Sequence, residues 1–311
     1  MTNSPQSPSD PASSDPASSD PSAPLAVLLG EGYTAGFIRA ELERAGWRVV
    51  GTSRAGRAGT LRLGPGGVDP ALRPLVERAA LLIASAPPEL DGSDPVLAHI
   101  RGWDVSGAAL YLSATSVYGD REGRWAFEAE APTPLSVRGR RRAAAELAWM
   151  ETGWPVLCLR LAGIYGPGRS TFAKLRAGTA RAVEKPGHVV NRIHAGDAAR
   201  LVRTIAETPL RDPVWGRVPA ALNVADGHPA DPAEVVRFAA RLAGFAEPPT
   251  VDWRDPALGR VARSFYAETK RVDIARARLW FGWRPRFADF RAGLRDVWAR
   301  EREGKWEELG L

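Results

Sequence analysis

Short apolar runs alternate with amphipathic segments along the middle of the chain. The first run, Leu25–Leu29, contains no polar residue, which is typical of a strand covered on both faces. After a glycine-rich turn, apolar residues recur at helical spacing up to Gly46. Further strands are predicted at 47–51, 81–85, 108–112, 156–160 and 222–224, and further helices at 139–150, 198–206, 232–242 and 270–279. This alternation predicts an α/β fold with a parallel sheet and right-handed crossovers.

The pattern also divides the chain. Residues 1–24 are mostly Ser, Pro, Asp and Ala, and the sequence Asp-Pro-Ala-Ser-Ser occurs twice, starting at Asp10 and Asp15. Such a composition buries too little apolar surface to offset the entropy of ordering, so we expect a disordered tail. We assign residues 25–168 to a dinucleotide-binding core. Residues 169–311 are assigned to a smaller substrate-binding lobe, from which a segment at about 188–224 returns to the core.

The strongest local motif is Gly30-Glu-Gly32-Tyr-Thr-Ala35, which follows the first strand and opens a helix. In the pattern Gly-x-Gly-x-x-Gly/Ala, Gly30 permits a tight turn, Gly32 lets the backbone reach a pyrophosphate, and Ala35 allows close packing of helix on strand. The phosphates then bind amides at the helix N-terminus, here those of Tyr33 and Thr34. The motif predicts a Rossmann-type, doubly wound parallel sheet that binds a dinucleotide.

The residues after the second strand bear on the choice of cofactor. An acidic side chain there would bind the ribose hydroxyls of NAD, but this chain has Ser53 and Arg54, with Arg57 close behind. A hydroxyl and a planar cation suit the 2′-phosphate of NADP, so we predict NADP, with NAD possible. The alternative is that Arg54 is an ordinary solvated arginine. Ala86 and Ser113 complete the predicted cofactor contacts.

Composition narrows the class of partner. Hydrophobic residues make up 44% and charged residues 25% of the chain, as in ordinary globular proteins. The net charge of +6 comes from arginines spread among acidic residues, and the densest run, 138–142, belongs to no recognition motif. We therefore expect a small-molecule substrate and no nucleic acid. We also expect a monomer or homodimer.

Cysteine use and hydropathy point to the cytoplasm. Cys158 is the only cysteine, so neither an internal disulfide nor a cysteine-based metal site can form, and we expect a buried strand cysteine and no metal. No apolar stretch reaches the length of a membrane span, and the N-terminus lacks the basic and apolar regions of a secretory signal. The expectation is a cytoplasmic protein that does not bind a membrane.

Several ordered segments together resemble one enzyme family. They are Ser113-Ala-Thr-Ser-Val-Tyr-Gly119, Thr133-Pro-Leu-Ser136, Arg160-Leu-Ala-Gly-Ile-Tyr-Gly-Pro-Gly168, Arg192-Ile-His-Ala-Gly-Asp197 and Gly282-Trp-Arg-Pro285. In this order they are similar to motifs of the extended short-chain dehydrogenase/reductases, also called the NAD-dependent epimerase/dehydratase family. The resemblance covers nearly all of 25–295. It implies a nicotinamide cofactor and hydride transfer on a small carbonyl, an alcohol or a nucleotide-sugar-like substrate.

The family's catalytic pair is absent from the expected helix. Alignment from Thr133 puts Arg138 at the tyrosine and Arg142 at the lysine of the family's Tyr-x-x-x-Lys, and the usual second serine falls on Ala114. Arginine stays protonated and cannot act as a base near neutral pH. The chain therefore resembles atypical members of the family.

Other side chains near these positions are the candidates for chemistry. Thr115, Ser116 and Tyr118 are the nearest hydroxyls, although Tyr118 is equally well explained as an aromatic wedge in a turn. Arg138 and Arg142 share a helix face and can bind an anion or a developing oxyanion, unless both point to solvent. Outside these candidates, the resemblance gives His194 a structural hydrogen bond, and Asp197 is expected to cap a helix beginning near Ala198.

Two functions of different class remain open at this point. One is an NADP(H)-dependent oxidoreductase with a substituted proton donor, which acts on a substrate that can be anionic. The other is a catalytically impaired NADP(H)-binding protein that regulates or contacts a partner. The lost tyrosine favours the second, and the retained Ile-Tyr-Gly-Pro-Gly loop favours the first.

Overall fold

The computed structural model describes residues 22–57, 59–209, 212, 215 and 220–303. Most of the tail predicted at 1–24 lies outside these residues. The strands are β1 (Leu25–Leu29), β2 (Arg48–Ser53), β3 (Thr60–Gly64), β4 (Gly67–Val68), β5 (Leu81–Ala84), β6 (Ala108–Ala114), β7 (Trp125–Ala126), β8 (Val156–Leu161), β9 (Gly163–Tyr165), β10 (Ala182–Glu184), β11 (Arg192–His194), β12 (Ala221–Val224), β13 (Thr250–Asp252) and β14 (Arg271–Val272).

The helices follow most of the predicted amphipathic segments. They are α1 (Tyr33–Arg44), α2 (Leu72–Arg78), α3 (Leu97–Ile100), α4 (Val137–Met150), α5 (Thr171–Arg176), α6 (Ala195–Ala206), α7 (Pro232–Ala243), α8 (Gly259–Ser264), α9 (Ala275–Phe281) and α10 (Phe290–Arg302). The helix predicted at 270–279 is wrong over its first residues. Arg271 and Val272 pair instead with Trp125 and Ala126 as a short parallel ladder, and the helix starts only at Ala275.

The main sheet has the order β12-β8-β6-β5-β1-β2-β3-β4 in the described part of the chain. Its strands are parallel except for β4, which runs antiparallel to β3. The chain starts at β1, moves outwards through β2 and β3, and then returns to the other side of β1 with β5. Ligands of such sheets bind at the carboxyl ends of the strands where the order reverses, which here is between β1 and β5. The predicted Rossmann-type fold class is confirmed.

Burial on both faces explains the fully apolar first strand. Ala26 and Leu28 belong to one core cluster, with residues of α1 and α6. Leu25, Val27 and Leu29 belong to a second cluster, with residues of α2, α3 and α4. Because successive side chains of a strand point to opposite faces, a strand between two helical layers needs apolar residues at every position.

A third core cluster lies in the C-terminal part, where residues of α5, α7 and α10 pack together around Phe172 and Phe290. Two-stranded ladders join β9 to β11 and β10 to β13. After β11 the chain returns to the main sheet. There α6 packs against α1, and β12 pairs with β8. None of the described helices is long and apolar enough to cross a membrane.

Candidate functional site

The turn after β1 can be formed only by a glycine at Gly30. This residue has φ +96°, and its amide donates to Thr52 Oγ1 at 2.9 Å. A Cβ built on Gly30 would lie 3.0 Å from the amide nitrogen of Ala86. The left-handed backbone and the close approach of a neighbouring strand end therefore both require a residue without a side chain.

Gly32 is needed for a different reason. Its φ is −112°, which any residue adopts, and a Cβ built there would meet no atom within 4 Å. Gly32 is the N-cap of α1, and no side chain caps this helix. The helix therefore presents free amides and its positive dipole end to open space, an arrangement that binds phosphate. The geometry fits the pyrophosphate of a dinucleotide.

A cavity of about 210 Å³ opens beside this turn, at the carboxyl ends of the central strands. Gly30, Ser53, Arg54 and Ala86, all predicted from the sequence as cofactor contacts, line it together. Its walls also contain residues that the sequence analysis missed: Thr52, Leu63, Gly64, Pro65, Glu89, Ser93, Pro95, Val96, Ala98 and His99. These four predicted residues are thus brought to one place, whereas Gly32, Tyr33, Thr34, Ala35, Arg57 and Ser113 do not line the cavity.

The basic residues of this region are already engaged with protein groups. Arg54 Nη2 lies 2.7 Å from Glu89 Oε1, in an exposed ion pair at the cavity wall. Arg57 donates from Nη2 to the carbonyl oxygen of Glu31 at 2.6 Å, so its side chain reaches the glycine turn. The hydroxyl of Ser53 is 2.8 Å from Thr60 Oγ1 and accepts from the amide of Arg57 at 3.1 Å.

Tyr33 connects the glycine turn with the loop after β9. Its hydroxyl donates to the carbonyl oxygen of Pro167 at 3.0 Å, and the Arg169 guanidinium lies 5.5 Å from its ring centre. Burial raises the pKa of Tyr33, although the charge of Arg169 opposes that shift. Thr34 and Ala35 are buried in the first turn of α1. Their side chains therefore pack the helix on the sheet, and only backbone amides of these residues face the open space.

Two predicted site residues, Ser113 and Tyr118, belong to a buried ionic network. Ser113 Oγ donates to Glu146 Oε1 at 2.5 Å, and Glu146 Oε2 lies 2.9 Å from Arg160 Nη2. Arg160 Nη1 donates to Tyr118 Oη at 2.9 Å, and that hydroxyl donates to Asn223 Oδ1 at 2.8 Å. All five residues are buried.

This placement bears on the roles predicted for both hydroxyls. Burial raises the pKa of Tyr118 to about 12, although the charge of Arg160 acts in the opposite direction. Burial alone would lower the pKa of Arg160, but hydrogen bonds and charge from Glu146 raise it. The Tyr118 and Ser113 hydroxyls both have protein partners here, and their contacts with substrate or cofactor stay a prediction.

The two arginines predicted on one face of α4 have different surroundings. Arg142 Nη1 donates to Tyr111 Oη and to the carbonyl oxygen of Leu112, both at 2.9 Å, which anchors α4 to β6. Its role toward substrate stays a prediction. Arg138 is exposed, and its guanidinium carbon lies 4.9 Å from the ring centre of Phe265, which is also exposed. Arg138 thus stands where the α4 end of the core meets the C-terminal lobe.

Thr115 and Ser116 lie beside α4 in the 3₁₀ turn Thr115–Tyr118. Both are half-buried, and neither hydroxyl forms a hydrogen bond to another described residue. A Cβ built on Gly139 would lie 2.5 Å from the carbonyl oxygen of Ser116, so the turn and the helix are in close contact. The structure therefore leaves two hydroxyls and the exposed Arg138 as candidates for contact with a substrate.

The lobe contributes a second, more open cavity of about 510 Å³, lined by Trp253, Arg254, Arg263 and Ser264. The Arg254 guanidinium lies 5.0 Å and Lys185 Nζ 4.7 Å from the ring centre of Trp253. Ser264 is the neighbour of Phe265, which contacts Arg138. Arg254 also lies 3.9 Å from the Asp252 carboxylate, so Arg263 and Lys185 are the further cations near this cavity.

His194 and Asp197 are structural residues at α6. His194 is the N-cap, and its Nδ1 accepts from the amide of Gly196 at 3.2 Å, while burial lowers its pKa to about 4. The capping role expected for Asp197 is wrong, because α6 already begins at Ala195. The Asp197 carboxylate instead accepts from the amides of Arg286 and Phe287, both at 2.8 Å. No metal-binding group of three or more His, Cys, Asp or Glu residues occurs within the described ranges.

Solved structures of other proteins share this architecture. The structure of MoeE5 in complex with UDP-glucose and NAD superposes with a TM-score of 0.72 at 21% identity, covering 91% of this chain and 100% of that one. RMD from Pseudomonas aeruginosa, complexed with NADPH, gives a TM-score of 0.63 at 18% identity, covering 90% and 100%. At these identities the likeness shows the fold alone.

One solved structure is a much nearer relative. It is a functionally unknown conserved protein from Silicibacter pomeroyi DSS, with 37% identity and a TM-score of 0.78, covering 89% of this chain and 99% of that one. The chain belongs to the same family as this conserved protein. No family model matches the sequence, and no curated protein matches it.

Proposed function

We propose that the protein is an NADP(H)-dependent oxidoreductase that acts on a carbonyl or alcohol substrate bearing an anionic group. The observation that carries the proposal is the cavity lined by Gly30, which precedes by two residues the N-cap Gly32 of the uncapped helix α1. Backbone amides, open space over Gly32 and an adenosine-sized cavity meet there at the topological switch point of the sheet, where dinucleotides bind in this fold.

The cofactor end of the site follows from these residues. Gly32 and the amides of Tyr33 and Thr34 would hold the pyrophosphate, and Arg54 and Arg57 are the cations available to a 2′-phosphate. Once bound, the nicotinamide supplies or accepts the hydride. Two structural neighbours, MoeE5 and RMD, contain NAD and NADPH respectively, which supports a nicotinamide cofactor without deciding between the two.

The substrate end is proposed from Thr115, Ser116 and Arg138. The two hydroxyls can donate hydrogen bonds to a carbonyl oxygen, and the fixed charge of Arg138 stabilises the alkoxide that forms on reduction. Since arginine stays protonated, the proton that completes the alcohol comes from water at the exposed mouth of the site. The positive surface at Trp253 and Arg263 would hold a carboxylate or phosphate on the distal part of the substrate.

Calorimetric titration with NADPH and NADH tests the cofactor site, and nicotinamide absorbance with a panel of carbonyl compounds tests the reaction. Carboxylated, phosphorylated and nucleotide-sugar members of the panel should react in preference to neutral ones. Arg138→Ala should lower kcat/KM for anionic substrates about tenfold, which corresponds to about 1.4 kcal/mol. Arg140→Ala is the matched control, because this neighbouring arginine is directed to the Leu135 carbonyl.

A second function has its own supporting observation. The hydroxyl of Tyr118 and the guanidinium of Arg142 both form hydrogen bonds inside the protein. Neither the tyrosine hydroxyl nor a lysine would therefore serve as proton donor among the described residues of the α4 end. A protein that binds NADP(H) without turnover, and contacts a partner in one cofactor state, would show this arrangement. Tight NADPH binding together with no oxidation across the whole panel would favour it over the oxidoreductase.

A further inference from the structure

The ion pair at the wall of the adenosine cavity joins two separate parts of the chain. Arg54 comes from the end of β2, and Glu89 comes from the loop after β5, 35 residues later. Both residues line the cavity of about 210 Å³. A carboxylate therefore lies beside the cation that is available to a 2′-phosphate.

The loop holds Glu89 in place. The Glu89 amide donates to the carbonyl oxygen of Ser93 at 2.9 Å, and the Gly92 amide donates to that of Glu89 at 3.0 Å, which closes a turn. Just beyond the turn, the buried carboxylate of Asp94 accepts from the amides of Val96 and Leu97, each at 2.9 Å. Its other oxygen accepts from Trp149 Nε1 on α4 at 2.9 Å. Glu89 is thus carried by a loop that is tied to the core.

This carboxylate affects the two dinucleotides in opposite ways. A 2′-phosphate can bind Arg54 only if the guanidinium leaves Glu89, and the phosphate then lies near an uncompensated carboxylate of the same sign. A ribose 2′-hydroxyl has no such conflict, because it can donate a hydrogen bond to a carboxylate. In this fold the group that performs that task usually follows the second strand, where this chain has Ser53 and Arg54.

We propose that Glu89 determines cofactor specificity: it supplies, from the loop after β5, the acidic group missing from the end of β2, and it opposes the preference for a 2′-phosphate that Arg54 creates. This inference rests on the proposed dinucleotide site and adds a residue to it. The pair makes the site less selective between NADP(H) and NAD(H) than Arg54 alone would make it.

The test measures the dissociation constants of NADPH and NADH by calorimetry for the full-length protein and three variants: Glu89→Gln, Arg54→Gln and the double substitution. Glu89→Gln should raise the preference for NADPH over NADH about fivefold or more, through tighter NADPH and weaker NADH binding. In the Arg54→Gln background the gain for NADPH should be smaller, because Glu89 no longer competes for the guanidinium and only its repulsion of the phosphate remains. The loss for NADH should persist in full, because the ribose hydroxyl does not need the guanidinium.

Glu77→Gln is the matched control. Glu77 pairs with Arg73 at 2.7 Å on α2, with side-chain exposures of 33% and 58%, against 37% and 66% for Glu89 and Arg54. It does not line the cavity, so its substitution should leave the preference unchanged. If both cofactors bind and Glu89→Gln changes their ratio by less than about twofold, the inference is wrong and the dinucleotide site stands. If the wild type binds neither cofactor, the site and the inference are both wrong.

Discussion

At the Gly30 end of the candidate site the backbone supplies the groups that could bind a ligand, whereas at the Arg138 end side chains supply them. Around Gly30 and Gly32, the turn, the open space and the free amides of α1 follow from chain conformation. Around α4, the Tyr118 side chain is buried in the core, where it contacts Arg160 and Asn223. The Gly30 end therefore contains an open cavity, and the α4 end contains a buried polar network.

The difference teaches that the two ends of the candidate site depend on different features of the chain, backbone conformation at one end and side-chain contacts at the other. A phosphate cradle of amides is insensitive to what stands at positions 138 and 142, because no side chain forms it. At the α4 end, by contrast, the Arg142 side chain anchors α4 to β6. Four substitutions test how far the two ends are independent, from the largest expected effect to the smallest.

Glu146→Ala should lower the free energy of unfolding more than the other three substitutions. It leaves Arg160 buried without its counter-charge, and removal of one partner of a buried pair typically costs about 3–5 kcal/mol. Urea unfolding followed by circular dichroism measures this loss. Leu147→Ala, at the next and exposed position of α4, is the control and should cost less than about 0.5 kcal/mol. A loss of under about 1 kcal/mol for Glu146→Ala would show that the network contributes little to stability.

Gly32→Val should weaken dinucleotide binding without destabilising the fold. The valine side chain would fill the open space over the N-terminus of α1, and affinity for NADPH and NADH should fall at least about 100-fold, or about 2.7 kcal/mol. Since the φ of Gly32 is −112°, the backbone tolerates the change and the melting temperature should hold. Gly102→Val, another glycine whose added Cβ meets nothing, is the control. Calorimetry showing undiminished affinity would place the pyrophosphate elsewhere.

Tyr118→Phe separates a structural from a catalytic tyrosine. The lost hydroxyl leaves Asn223 Oδ1 without a donor and Arg160 Nη1 without an acceptor, so the free energy of unfolding should fall by about 1–3 kcal/mol. Below the unfolding transition, NADPH affinity and any turnover should stay within about twofold of wild type. Unchanged stability combined with abolished turnover would show that Tyr118 has a catalytic role.

Arg54→Asp should produce the smallest effect, because Arg54 is exposed and already paired. Replacing a cation by a carboxylate at the cavity wall should weaken NADPH binding at least about tenfold, or about 1.4 kcal/mol, while NADH binding holds or improves. Arg44→Asp changes the charge equally at a similarly exposed position, 64% against 66%, and should affect neither cofactor. Equal losses of NADPH and NADH affinity would mean that Arg54 does not contact the 2′-phosphate.

The sequence supported the fold and the cofactor end much better than the catalytic end. Apolar runs and glycine spacing act locally, so the sheet and the grouping of Gly30, Ser53, Arg54 and Ala86 could be predicted. Whether a hydroxyl such as that of Tyr118 faces a cleft or the core depends on partners far away in the chain, and no local pattern encodes them. Glu89 was missed for the same reason, since only the folded loop brings it to Arg54.

The two hydrogen bonds accepted by Asp197 have a consequence for how the protein is made. Their donors, the amides of Arg286 and Phe287, lie 89 and 90 residues further along the chain. At a synthesis rate of 5–20 residues per second, roughly 5–20 s pass between the appearance of the carboxylate and that of its donors. Throughout that interval a nascent α6 carries an acidic group that the finished protein buries completely. We expect α6 to pack against α1 only late in translation, after the segment around Pro285 has left the ribosome.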